Sequence, residues 1–428
     1  MNNINNSIKY TYLFLLTYIF VIPFYYYPAT ILFNLKIPVV KYFPLVLVAV
    51  LLIVSMANRS FRARLIKLNE FRLSVIVYLI LALLSGLGTV YYPISAYKWF
   101  YYGLTGALIY FIVSSWDLSL EIKRYFLRLM VFLGFLVSLY GIITFVLGQD
   151  PFFGHLLYTG SNLREPEVWL RMGRISSAAG NPLFLGGILS LLFPLAIYFY
   201  LQDQGKRRPG NVFIAAQVVV IFLGLVLTFS IGALVSVIFF YFYYRHKTKN
   251  MFPESRSFKK TGIFLLFSLG CSCLLIFILS VNIFTLTRNN SYFFGNFLGK
   301  IDFHKLADIP SLVSRWNSLK FTAGFLGSPS SFFGVGLGKI GTGEFFPFRV
   351  SLDNYFCLSL VESGVFATAA LLLVFREALK KGFKKTQDPL NVFLSASIII
   401  FLINMLFFDA LNQPVLRILL WSLIGFLI

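Results

Sequence analysis

Apolar positions in this chain come in long runs separated by short basic clusters. Runs near 10–27, 37–57, 73–89, 98–114, 129–147, 181–201, 262–284, 353–375, 390–408 and 414–428 approach the ~20 residues that one helix needs to cross a bilayer. The run at 211–244, NVFIAAQVVVIFLGLVLTFSIGALVSVIFFYFYY, is longer. As a single helix at ~1.5 Å per residue it would measure about 51 Å, against a hydrocarbon core of about 30 Å. It therefore predicts two helices with a turn near 228–232, where Ser230 and Gly232 suit a tight bend. The alternation over about ten residues that marks a membrane β-barrel is absent, as are repeats of 20–50 residues and low-complexity tracts.

The basic clusters set the expected orientation. They are Arg59, Arg62, Arg64, Lys67 and Arg72; Lys123, Arg124 and Arg128; Lys206, Arg207 and Arg208; Arg245, Lys247, Lys249, Arg256, Lys259 and Lys260; and Arg376, Lys380, Lys381, Lys384 and Lys385. Placing all of them in the cytoplasm requires an even number of crossings between neighbours, and the runs supply it. The expected fold is an all-α polytopic membrane protein, residues 1–428 forming one integral membrane domain of about twelve helices with both termini cytoplasmic. Two sizeable loops then face the other side, 148–180 and, between the ninth and tenth helices, 285–352. Loops this long are uncommon unless functional or disordered, and these are too aromatic for disordered linkers. The first apolar run has no small-residue cleavage site and reads as a retained helix.

Composition agrees. Only 12% of residues are charged and 58% are hydrophobic, against about 25% charged in a soluble domain. The net charge of +21 follows from loop lysines and arginines on the cytoplasmic side, so nucleic acid is not an expected partner. Cys271, Cys273 and Cys357 all lie in apolar segments and read as small core residues, with neither a disulfide framework nor a metal site.

Candidate chemistry concentrates at 311–364. Leu312, Trp316, Leu319, Ala323 and Leu326 form an apolar stripe at helical spacing, and Ser311, Arg315, Ser318 and Thr322 form a polar row. This predicts an amphipathic helix on the membrane surface or over the mouth of the bundle, with Arg315 pointing away from the greasy side. Arg315 there either solvates the helix, contacts lipid headgroups or serves a site. Gly334, Gly336 and Gly338 follow no strand and open no helix, so a nucleotide loop is excluded on context. They are expected to form a bend with exposed backbone N–H groups. Asp353 and Asn354 stand at the entrance of the tenth helix. Ser351, Asp353 or Asn354 is the expected N-cap, and a capping carboxylate there is also open to a substrate. Glu362, Asp409 and Arg417 fall within or beside apolar runs and are expected to brace helix packing.

These residues resemble the O-antigen ligase and polymerase superfamily, GT-C-class membrane glycosyltransferases that act on undecaprenyl-diphosphate glycans. Gly173-Arg174 followed by Gly180-Asn181-Pro182 looks like the family's first periplasmic arginine motif. Ser314-Arg315-Trp316 with Gly334-Val335-Gly336, and Asp353-Asn354-Tyr355 through Glu362-Ser363-Gly364, look like the start and end of its signature domain. The similarity spans roughly residues 170–375. Many members have Ser-Arg where this chain has Ser230-Ile231, and ligases place His-Asn where it has Asp353-Asn354. An acidic residue at that position is more familiar from the polymerase branch. His155 and His304 lie in the two loops but do not match the histidine motif.

The resemblance implies transfer from a lipid-diphosphate donor at the periplasmic face of the bacterial inner membrane. The chain has no Asp-x-Asp metal motif, so arginines are expected to neutralise the diphosphate, and neither metal nor cofactor is implied. Arg174 and Arg315 are the expected phosphate ligands, with Arg171 and Arg288 in reserve. Asp353 is the expected general base for the acceptor hydroxyl, with inversion at the anomeric carbon. Asn354, Trp316, Gly334 and Gly336 are expected to line the substrate. Trp169, Phe345, Phe346 and Phe348 either stack on sugars or belong to an interfacial belt. The expected partners are the lipid-linked glycan, a glycan or lipid A core acceptor, membrane lipids and a chain-length regulator. A polymerase is the first expectation and a ligase transferring to lipid A core or protein the second. A flippase or transporter is the third, and it would show broken helices paired in two halves.

Overall fold

The computed structural model of the chain describes residues 2–21, 31–32, 35–36, 39–87, 92–147, 174–175, 177, 181–203, 210–248, 310–340, 352, 354–384 and 388–428. These residues are helical throughout, apart from a two-residue antiparallel pairing of Ile31–Leu32 with Leu35–Lys36 and the connecting turns. The helices are α1 (Asn2–Val21), α2 (Val39–Met56), α3 (Arg59–Ile66), α4 (Glu70–Leu84), α5 (Tyr92–Lys98), α6 (Thr105–Ser115), α7 (Leu120–Leu147), α8 (Pro182–Asp203), α9 (Gly210–Leu227), α10 (Ile231–Thr248), α11 (Pro310–Leu326), α12 (Tyr355–Lys384), α13 (Pro389–Met405) and α14 (Pro414–Leu427). A π-helical stretch, Trp99–Leu104, joins α5 to α6. Among the described residues α7, α12 and the Pro182–Gln202 part of α8 are long and apolar enough to cross a membrane. Pro44–Met56 and Arg59–Ile66 reach that length only together, and the chain bends by 110° between them. The expected helix near 262–284 lies outside the described residues.

The chain divides into two compact units. One comprises Met1–Leu16, Tyr42–Lys123 and Ala307–Ile428; the other comprises Thr17–Lys41 and Arg124–Leu306. In the second unit α8 packs against α9 and α10 and is buried nearly all round, as a helix that is apolar on every face must be. Small residues let its neighbours close in. Gly134 on α7 leaves the space that Leu192 fills, and Gly224 on α9 receives the Ser138 side chain, whose hydroxyl donates to the Val220 carbonyl at 2.7 Å. The long apolar run breaks where its length requires, with α9 ending at Leu227 and α10 beginning at Ile231.

In the first unit α4 packs along α12, α6 along α14, and α12 along α13. Gly106 admits the Trp421 indole, and Gly425 sits against Val113. One member of the first basic cluster is not a solvated loop cation. Arg72 is buried and donates to the carbonyls of Arg64, Leu65 (3.1 Å) and Lys67 (2.9 Å), and to the hydroxyls of Ser114 (3.2 Å) and Ser115 (2.7 Å). It closes the carbonyl end of α3 onto the end of α6, the terminus at which a cation is favoured.

Helix α12 is broken at Gly364, whose φ of 81° and ψ of 173° lie in a region reserved for glycine. The break matters because the helix can no longer satisfy its own carbonyls at that point. A glycine-rich loop takes them up: Val335 N–H donates to the Val361 carbonyl and Gly336 N–H to the Glu362 carbonyl, both at 2.9 Å. Gly334 and Gly364 press together so closely that a Cβ on either would overlap backbone of the opposite segment, Glu362 carbonyl in one case and Phe332 carbonyl in the other. By contrast, a Cβ at Gly324 meets nothing within 4 Å. Gly364→Ala should therefore lose about 1–3 kcal/mol from backbone strain alone. Gly324→Ala, in a helix, should be neutral or gain up to about 1 kcal/mol. Thermal unfolding of the two purified variants in detergent checks this, and equal midpoints would contradict the docking described.

Candidate functional site

The site predicted at 311–364 is built in the first unit from α11, the glycine loop and the head of α12. Helix α11 forms as its periodicity predicts, with the Arg315 row and the apolar stripe on opposite sides. Ser318 and Thr322 are 1% and 4% exposed, while Trp316 and Leu319 are 59% and 47% exposed. The polar row packs inward and the apolar stripe looks outward, which is the stable arrangement when the surroundings are lipid rather than water. Arg315 belongs to the inward row and is half-buried. Its guanidinium carbon lies 5.4 Å from the centre of the Phe407 ring, and its Nε has no hydrogen-bond partner among the described residues. Trp316 is on the exposed side, 5.5 Å from the Lys320 ammonium, so the structure does not bring it together with Arg315.

Two turns along the inward face, the Thr322 hydroxyl shares a hydrogen bond with the Cys357 thiol in the first turn of α12. Asn354 caps that turn, its Oδ1 accepting from Phe356 N–H at 2.9 Å and Cys357 N–H at 3.3 Å. The cap is thus supplied by Asn354, as one of the three candidates. Asp353 lies outside the described residues.

The glycine loop differs from expectation in one respect. Its N–H groups were expected to be exposed, and they are already used. Gly334 donates to the Ser330 carbonyl at 2.7 Å, Val335 and Gly336 to α12, and Leu337 to the Ser95 hydroxyl at 2.8 Å. The N–H groups of Gly338, Lys339 and Ile340 converge on the Glu362 carboxylate. Gly334 and Gly336 accordingly serve as bend and contact points, and their amides are not available to bind substrate. Glu362 is the anchor of this loop and not simply a brace between helices. Lys339, at the loop's end, is buried. Burial pushes its ammonium down from the ordinary value, while the Glu362 carboxylate pulls it back up.

In the second unit Arg174 is placed at the break between α9 and α10. Its Nε donates to the Thr228 carbonyl at 2.9 Å, and Ile175 N–H donates to the Leu227 carbonyl at 3.1 Å. Burial pushes the Arg174 guanidinium down from its ordinary value, though a guanidinium remains charged. Ser177 (φ 51°) and Phe229 (φ 47°) are the non-glycine residues with positive φ among those described, and both belong to these two segments. Backbone strain of this kind gathers at functional sites. Ser230, which opens α10, is 1% exposed and its hydroxyl has no partner among the described residues. A guanidinium, a helix N-terminus and a buried hydroxyl at one place suit an oxyanion.

Arg171, Arg288, His155, His304, Trp169, Phe345, Phe346 and Phe348 lie outside the described residues. Among those described, no group of three or more His, Cys, Asp and Glu side chains could hold a metal ion. No family model and no curated protein matches this chain.

Capping and substrate contact at Asn354 can be separated. Asn354→Ser and Asn354→Asp should keep the cap and the stability, whereas Asn354→Ala should lose about 1 kcal/mol. Thermal midpoints of the three variants in detergent check the assignment. A stable Asn354→Ser protein with reduced activity would give the amide a second role.

Proposed function

We propose that the chain is an inverting, metal-independent membrane glycosyltransferase of the O-antigen polymerase type. In this reading it joins undecaprenyl-diphosphate-linked oligosaccharide repeat units at the periplasmic face of the bacterial inner membrane. The observation that carries the reading is the inward face of α11: the row bearing Arg315 packs onto the first turn of the helix headed by Asp353 and capped by Asn354. In the sequence Asp353 directly precedes that turn, and a cation and a carboxylate are what a diphosphate leaving group and a hydroxyl nucleophile require. Within the second unit, Arg174, fixed at the α9–α10 break with Ser230, is a separate candidate for a phosphate oxygen.

On this reading the Arg315 guanidinium holds the charge that develops on the departing diphosphate. The acceptor sugar hydroxyl attacks the anomeric carbon from the opposite face, forming the new C–O bond as the bond to phosphate oxygen breaks. Asp353 receives the hydroxyl proton. Single-step displacement inverts the anomeric configuration. The lack of an Asp-x-Asp motif and the presence of arginines in both places support a reaction without metal.

Deletion of the gene followed by gel analysis of surface polysaccharide tests the reaction. Loss of a polymerase leaves single repeats on the acceptor, loss of a ligase leaves long chains on the carrier lipid, and unchanged polysaccharide would sink the proposal. In an elongation assay with purified protein and chelator, Arg174→Ala and Arg315→Lys should each lose tenfold or more, on the order of one lost charged hydrogen bond. Asp353→Asn should lose about 10²–10⁴ in rate if the carboxylate is the base. A fully active Asp353→Asn enzyme would remove Asp353 from that role.

The proposed topology has twelve crossings with both termini inside. A reporter fused after Gly341 should report periplasm and one after Lys381 cytoplasm. The same side for both would contradict it.

A further inference from the structure

Arg417 lies in the first turn of an apolar helix, α14, and is only 2% exposed. A guanidinium in such a place is expensive, and packing alone would be served better by leucine or methionine. Its position is built with care. One terminal nitrogen donates to the Leu411 carbonyl at 3.3 Å, and its guanidinium carbon lies 5.4 Å and 5.0 Å from the ring centres of Tyr101 and Tyr102. Two consecutive residues of a regular α-helix point about 100° apart and do not ordinarily reach one group. Here both belong to the π-helical stretch Trp99–Leu104, a widened turn of the kind that recurs at functional sites.

Beside Arg417 is a cavity of about 20 Å³, lined by Tyr78, Tyr102, Tyr355, Glu362, Asn412 and Arg417 among others. A polar cavity of this size takes about one water-sized group. The Tyr78 and Tyr355 hydroxyls hydrogen-bond to each other and both feel the charge of Arg417. The acid lining the cavity is not a simple counter-ion for Arg417. The Glu362 carboxylate collects the N–H groups of residues 338–340 and feels the charge of Lys98, which donates to the Tyr102 hydroxyl at 3.2 Å. Asp409, ahead of the short turn Ala410–Asn412, is partly exposed.

We propose that this cavity is an oxyanion-binding subsite in which Arg417, with the hydroxyls of Tyr78 and Tyr355 and the Asn412 amide, receives one terminal oxygen of a phosphate or carboxylate group. The size of the cavity excludes a whole sugar ring and admits a single oxygen, the remainder of the ligand staying at the mouth. A guanidinium beside hydroxyl and amide groups favours an anionic oxygen over a neutral hydroxyl. The subsite does not depend on the glycosyl-transfer reading, which rests on Arg174, Arg315 and Asp353.

Trp421 also lines the cavity and reports on it. Purified full-length protein in detergent is titrated with inorganic phosphate, pyrophosphate and acetate while tryptophan fluorescence is followed. A saturable change that disappears in Trp421→Phe is expected. It should weaken about tenfold or more in Tyr355→Phe, Tyr78→Phe and Arg417→Lys, the size of one hydrogen bond to a charged group. It should persist in Arg174→Ala and Arg315→Lys, which separates this subsite from the proposed transfer site. The tyrosine variants keep the packing and so retain the test if Arg417→Lys does not fold. Saturation by phosphate or pyrophosphate alone assigns the oxygen to a phosphate, and equal competition by acetate extends it to carboxylates. No saturable change with any of the three anions, or one indifferent to both tyrosine variants, overturns the proposal.

Discussion

The first unit depends on a helix that stops being a helix for one residue. At Gly364 the α12 backbone leaves helical geometry, and the carbonyls of Val361 and Glu362 accept N–H groups from the glycine loop. An unsatisfied carbonyl inside a membrane costs several kcal/mol, so break and loop are mutually required. The Glu362 side chain then completes the arrangement by gathering three further N–H groups. Seven successive amides of the loop, residues 334–340, are accounted for in this way. The result is a rigid floor under the head of α12, where Asn354 and the inward face of α11 meet.

Along α11 polarity runs from outside to inside in the reverse of a helix on a water-soluble protein. Ser318 and Thr322 are interior, and Trp316, Leu319 and Leu326 are exterior. Phe332 and Phe333 extend the apolar exterior, stacking on and edging against Phe366 at 5.6 Å and 5.5 Å between ring centres. Interior polar groups under these conditions must find one another, and they do so mostly through backbone carbonyls. Arg72, Arg174 and Arg417 each donate to at least one carbonyl near a helix end or break. Arg315 rests against the Phe407 ring.

Much of the helical pattern was legible because length alone constrains it. The break at residues 228–230 follows from an apolar run too long for one crossing, and it falls where predicted. The existence of α11 was legible from its period, but not the direction of its apolar stripe. The same spacing means inward in water and outward in lipid, and an isolated loop segment does not announce its solvent. The break at Gly364 was hidden because one glycine within an apolar helical run is tolerated on sequence grounds. Its partner loop lies some thirty residues earlier, so the pairing shows only in three dimensions. Glu362 and Arg417 were visible as charges in apolar runs, but their roles depended on what docks beside them. Arg72 looked like any other member of a basic cluster.

That arginine has a consequence for how the chain is made. The serine hydroxyls that Arg72 engages lie 42 and 43 residues later in the sequence. At synthesis rates of about 5–20 residues per second, they emerge roughly 2–9 s after it. Until then Arg72, at the head of α4, has only the α3 carbonyls that precede it in the chain. The side chain therefore closes in two stages, first on the end of α3 and later on the end of α6. Replacing it with a neutral residue of similar bulk would remove both the early contact and the late one, at two separate moments in the life of the molecule.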